Sequence, residues 1–105
     1  MEPTFRYEIY PSTAGHAVSL YGTIDVHAEP HFNRLLSQVE ACEVRLDFSN
    51  VGRINSMGVA VLLRTLKLLK VQKQANVKIS GLNQLNSMLF KMTGIFMLAT
   101  EERLC

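Results

Sequence analysis

The sequence predicts one α/β domain spanning residues 1–105, with a mixed β-sheet and helices packed mainly on one face. Three observations carry this expectation. Segments alternating every two residues (4–10, 16–21 and 43–48) are interleaved with segments whose apolar residues recur at helical spacing. Strands joined through helices favour parallel pairing, whereas the first two strands follow one another directly and favour a hairpin. The run Glu43-Val44-Arg45-Leu46-Asp47-Phe48 alternates cleanly, as a strand packed on one face and wet on the other does.

The elements follow in chain order. Phe5, Tyr7 and Ile9 share one face of a first strand, and Arg6, Glu8 and Tyr10 the other. Pro11 to Gly15 supplies turn chemistry for a longish loop, after which 16–21 forms a second strand with Val18 and Leu20 inward. Pro30 suits a first helical turn, and Phe32, Leu35, Leu36 and Val39 give helix 30–41 an apolar face. A third strand over 43–48 leads to a loop from Ser49 to Asn55. The longest helix, 57–73, carries Val59, Leu62, Leu63, Leu66 and Leu69 as its core stripe. Val77 and Ile79 mark a short strand ended by Gly81. Leu85, Met88, Leu89 and Met92 form a third helical stripe, and Gly94 stands where a helix-ending glycine belongs. A last strand is expected at Ile95–Ala99, with Met88, Met92 and Met97 as core filler.

Composition narrows the function classes. An apolar fraction of 48% with 19% charged residues describes a folded chain. A net charge of +2 is too mild to require a nucleic acid or an anionic membrane as partner. The longest apolar runs, Val59–Leu63 and Ile95–Ala99, are far too short to span a bilayer, so no membrane insertion is expected. The amino terminus has no basic-then-apolar leader pattern, and Cys42 and Cys105 form no paired motif. A reduced, cytoplasmic protein is the expectation. His27 and His31 are separated by a helix start and have no neighbouring cysteine ligand, so no metal site is read from them. Glycine signatures of phosphate-binding and dinucleotide-binding loops are absent, and Ser56 is not in a nucleophile elbow because Ile54 fills the first glycine position. No cofactor and no enzymatic activity are expected.

The most informative segment is LDFSNVGRINSMGVAVLL, residues 46–63, which runs strand, loop, small residues, helix. Asn55 and Ser56 are both favoured helix caps. Ser56 is also the one hydroxyl between Asn50 and Leu63. A hydroxyl there is well placed for phosphorylation, because a phosphate would meet unpaired N–H groups and the positive end of the helix dipole. At 100° per residue, Val61, Leu68 and Val71 fall opposite the core stripe, beside Arg64. They either cover neighbouring elements or form a partner-facing patch continuous with Met57 and Ser56. Arg64, Lys67, Lys70 and Lys73 recur every three residues, and without stacking aromatics they read as a solvated face.

At this point the sequence resembles a known family, the STAS domains typified by bacterial anti-sigma factor antagonists. The resemblance rests on Gly22-Thr23-Ile24-Asp25, on LDFSNV, on the Ser56-x-Gly58 helix start and on Met92-Thr93-Gly94-Ile95. Ser56 matches the family's phosphoacceptor, while Asn55 replaces the usual carboxylate and Met57 the usual second hydroxyl. The family's final helix is expected to be short or absent here, where the sequence given closes on ATEERLC. The resemblance implies a partner-switching regulator that binds a serine kinase of the histidine-kinase-like fold, itself the anti-sigma-type protein. Phosphorylation of Ser56 would end that complex, and a metal-dependent serine phosphatase would restore it. The partner-binding residues implied are Asn55, Ser56, Met57, Gly58, Val61, Arg64 and Leu68. The alternatives are a constitutive STAS subunit of a lipid-transporting ABC complex and, from a different class, a small hydrolase using Ser56.

Overall fold

A computed structural model describes residues 4–13, 15–40 and 43–102; the expectations for Cys42, Cys105 and the last three residues lie outside them. The alternating segments become strands β1 (Arg6–Ser12) and β2 (Gly15–Ile24), paired antiparallel from Arg6↔Tyr21 to Ser12↔Gly15. The pairing reaches Ser12 and Gly15, so the connection is shorter than the loop expected from Pro11 to Gly15. Pro11 is tolerated because β1 is an edge strand. Helix α1 (Glu29–Gln38) begins one residue before Pro30 and follows a 3-10 turn, Val26–Ala28. Strand β3 (Glu43–Ile54), helix α2 (Ser56–Val71), strand β4 (Asn76–Ser80), helix α3 (Gln84–Thr93) and strand β5 (Thr100–Glu101) complete the order.

The sheet is mixed, in the order β1-β2-β3-β4-β5, with β2 to β5 parallel. Each parallel neighbour is reached through one helix, and the strand order advances in one direction. Right-handed crossovers therefore set all three helices on the same face. Beneath them lies the core: Val18, Leu20, Val44, Leu46, Phe48, Val77 and Ile79 from the strands, with Phe32, Leu35, Leu62, Leu66 and Phe90 from the helices. The opposite face is polar and open. There Glu43 Oε1 lies 2.9 Å from Lys78 Nζ, and Arg45 bridges Glu43 and Glu102. Hydrogen bonding to Lys78, helped by Arg45, holds the Glu43 carboxyl below its ordinary pKa, and Glu43 in turn raises that of Lys78. The Arg6 guanidinium stacks 3.8 Å over the Tyr21 ring.

Three expectations are corrected. The segment Ser49–Asn55 is not a loop: β3 runs on to Ile54, paired with β2 through register shifts after Ser19 and Gly22. Those irregularities replace strict alternation, so Phe48, Val51 and Ile54 are buried at intervals of three. Ile95–Ala99 is not a strand. Ile95–Met97 is a 3-10 turn directly after left-handed Gly94, which burial of Ile95 and an edge contact of Phe96 on Phe90 hold against the core. Thr100 and Glu101 pair with β4, and the Glu102 N–H donates to the Ile79 carbonyl. Finally, α3 is rotated from the expected stripe. Its inward residues are Asn86 and Phe90, with Leu89 and Thr93 half-buried, and Leu85, Met88, Met92 and the neighbouring Met97 are exposed. Phe90 decides this by packing edge-on against Phe48. The polar members can be buried because Asn86 donates to the Gly52 carbonyl and Thr93 Oγ1 donates to the Leu89 carbonyl.

Candidate functional site

The site grows from the junction of β3 and α2. Asn55 leaves the strand in an extended conformation, and its Oδ1 accepts the Gly58 N–H at 2.8 Å. Its own N–H donates to the Ile24 carbonyl at 3.2 Å, which fastens the helix start to the end of β2. Gly58 is buried against that carbonyl, and any Cβ at position 58 would collide with the Ile24 oxygen. The Gly22-Thr23-Ile24-Asp25 segment and the Ser56-x-Gly58 motif are therefore two halves of one contact.

Of the two cap residues weighed from sequence, Asn55 is the cap and Ser56 is the first helical residue. Ser56 is exposed and Met57 is 52% exposed beside it. The first turn carries no acidic residue, so the N–H groups that Asn55 does not cap and the positive end of the dipole have no built-in counter-charge. A hydroxyl in this position is accessible to another protein and is free of capping duty.

The rest of the expected surface is divided. Val61 is not a partner-facing residue: it is 4% exposed. It lies one turn before Arg64, on the side of α2 that α1 covers. Arg64 itself is exposed, and Nη1 donates to Asn33 Oδ1 at 2.9 Å and lies 4.0 Å from Glu29, both on α1. Helix α2 thus has α1 as a neighbour on this side, the covering element that the sequence left as an alternative to a partner. Leu68 is half-buried, and Val71 is 65% exposed near the far end. His27 sits beside Asp25 and His31 against the Phe5 ring. Among the described residues, no group of three His, Cys, Asp or Glu side chains is arranged to hold a metal ion.

Two features were not anticipated from the sequence. A hollow of about 250 Å³, lined by Gly52, Arg53, Ile54, Leu85, Asn86 and Leu89, opens beside the strand that delivers Asn55 and Ser56. The available signal was Phe90. Centring the α3 stripe on its largest apolar residue selects positions 86, 89, 90 and 93 and leaves Leu85 at the rim. The second feature is the exposure of the α3 methionines, which the same choice predicts.

The STAS domain family model matches residues 6–102. Among solved structures, the fold is similar to an anti-sigma factor antagonist from Mycobacterium paratuberculosis, with 16% identity and a TM-score of 0.70 over 93% of this chain and 85% of that one. It is also similar to the anti-sigma factor antagonist SpoIIAA in its unphosphorylated form, with 15% identity and a TM-score of 0.68 over 95% and 90% of the two chains. The phosphorylated form of the Bacillus cell fate determinant SpoIIAA matches with 14% identity and a TM-score of 0.64, over 94% and 91%. No curated protein matches the chain in sequence. At these identities the structures speak for the shared fold, and the family match covers nearly every described residue. The chain belongs to the STAS domain family.

Proposed function

We propose that this chain is a non-enzymatic, cytoplasmic partner-switching regulator of the anti-sigma factor antagonist type, controlled by phosphorylation of Ser56. The observation that carries the reading is the division of labour at the α2 start: Asn55 caps the helix, and Ser56 stands exposed at its first position. In the unphosphorylated state, the surface around Asn55, Ser56, Met57 and the Gly58 backbone, flanked by Arg64 and Leu68, docks a serine kinase of the histidine-kinase-like fold. Phosphate transfer to Ser56 adds about −1.5 to −2 charges at a turn that has no acid of its own. The helix end tolerates that anion, whereas a closely fitted interface loses affinity by burying it without a counter-charge. A metal-dependent serine phosphatase resets the switch.

The test is phosphopeptide mass spectrometry of the protein isolated from its native cells, with co-purifying proteins identified, for wild type and Ser56→Ala. The expected result is phosphate on the peptide containing Ser56 in wild type alone, with a kinase of that fold recovered. Phosphate on another residue in both proteins would overturn the assignment. An unphosphorylated chain in a stable complex with a transporter ATPase would favour the constitutive-subunit reading, for which the neutral Asn55 in place of an acid is the supporting observation.

A further inference from the structure

The net charge of +2 conceals a strong separation of charge. Between Asp47 and Glu101 the chain has no carboxylate and seven arginines and lysines, so the remaining residues are net acidic. Most of the cations fall on the helical side of the sheet, in α2 and α3 and directly after α2. The exposed large apolar residues concentrate in the same stretch: Met92 and Met97 are each 81% exposed, and Val71 is 65% exposed. Lys70 and Met97 line one hollow between the end of α2 and the 3-10 turn. Among the described residues, no carboxylate forms an ion pair with Lys67, Lys70 or Lys73. Lys91, by contrast, shares a hollow with Glu101 and Glu102.

We propose that the face formed by the C-terminal half of α2, the 3-10 turn and the end of α3 adsorbs to anionic lipid bilayers. The lysines meet the headgroups, and Met92, Met97 and Val71 enter the interfacial layer. Lysine stems lie along apolar surface while their ammonium groups reach phosphate, and methionine fills irregular apolar space without a fixed rotamer. The choice of occupant rests on charge. Lys67, Lys70 and Lys73, without a carboxylate partner among the described residues, accompany the exposed apolar side chains. An anionic bilayer supplies phosphate to the ammonium groups while it takes up the apolar ends. No described helix is long and apolar enough to cross a membrane, so the contact is adsorption from one side. Ser56 lies at the other end of the 16-residue helix α2, roughly 22 Å away. The adsorbed protein therefore keeps the Ser56 end of α2 clear of the lipid, and the proposal does not depend on the chemistry of that end.

The test is sedimentation of the purified, unphosphorylated chain with vesicles of equal parts phosphatidylglycerol and phosphatidylcholine, against vesicles of phosphatidylcholine alone. Binding to the mixed vesicles that weakens with added salt is expected, with little binding to the neutral ones. Each neutralised lysine should lower the partition coefficient about fivefold, so Lys67→Gln with Lys70→Gln should lower it roughly 25-fold. Met92→Ser with Met97→Ser should also weaken binding while leaving the melting temperature unchanged, because both side chains are exposed. No binding to the mixed vesicles would overturn the proposal and leave this face to an acidic protein surface. Equal binding of the lysine variant, or of the methionine variant, would likewise overturn it.

Discussion

Helices α2 and α3 start with the same chemistry and differ in what they do with it. In each, an asparagine side chain accepts the N–H three residues on: Asn55 from Gly58 at 2.8 Å, and Asn83 from Asn86 at 2.7 Å. On α3 the third residue is inward, and Asn86 reaches across to the Gly52 carbonyl, so that start is sewn into the fold. On α2 the third residue is a glycine pressed against the Ile24 carbonyl, and the first is an exposed serine that caps nothing. The difference teaches how to read a serine at a helix start. When its neighbour already supplies the cap, its hydroxyl is surplus to stability and available for another purpose.

The largest expected effect tests the α2 anchor. Gly58→Ala forces a Cβ onto backbone that cannot swing aside, and should cost about 3 kcal/mol, at the upper end for overpacking, in a urea unfolding experiment. Gly94→Ala is the control. Its φ is +81° with nothing within 4 Å of an added Cβ, so only left-handed strain is paid, about 1 kcal/mol. Equal losses would show that α2 shifts to make room and that the Ile24 contact is not an anchor.

The caps come next. Asn55→Ala and Asn83→Ala should each lose about 1 kcal/mol, equal because their hydrogen bonds are equal. A much smaller loss for Asn55→Ala would mean that Ser56 takes over the cap, which would break the comparison. Asn55→Asp should act in the opposite sense, adding about 0.5 kcal/mol at neutral pH through the helix dipole. The dipole lowers the folded-state pKa of that carboxyl. The gain is therefore complete above the ordinary carboxylate range and lost as pH falls through the folded value, which thermal melts at several pH values would display. The smallest effect is Ser56→Ala, expected within about 0.5 kcal/mol of wild type, as for other surface positions free of structural duty. A loss as large as that of Asn55→Ala would return Ser56 to a capping role.

The structure departs from the sequence pattern only locally. Hydrophobic spacing alone does not select the α3 stripe, because Leu85, Met88 and Met92 fit that spacing as well as the true set does. What turned the helix was the edge contact of Phe90 with Phe48, a partner 42 positions away that periodicity does not see. Val61 falls opposite the core stripe on a helical wheel, a position open either to neighbouring elements or to a partner. Arg64 reaching Asn33 reveals a second neighbour, α1, that buries it. The continuation of β3 to Ile54 escaped because register shifts against β2 dissolve the alternation by which strands are recognised.

What the sequence determined by itself was the order and type of most elements, the handedness-driven placement of helices on one side of a mixed sheet, and the position of Ser56 at a helix start. These follow from local periods, turn residues and chain connectivity, which act between near neighbours. Packing between distant segments decided which asparagine or serine became the cap, which face of α3 met the core, and which charges of the open sheet face became ion-paired. Each of those outcomes depends on residues distant in sequence meeting in space, where packing and charge pairing outweigh local preference by a few kcal/mol.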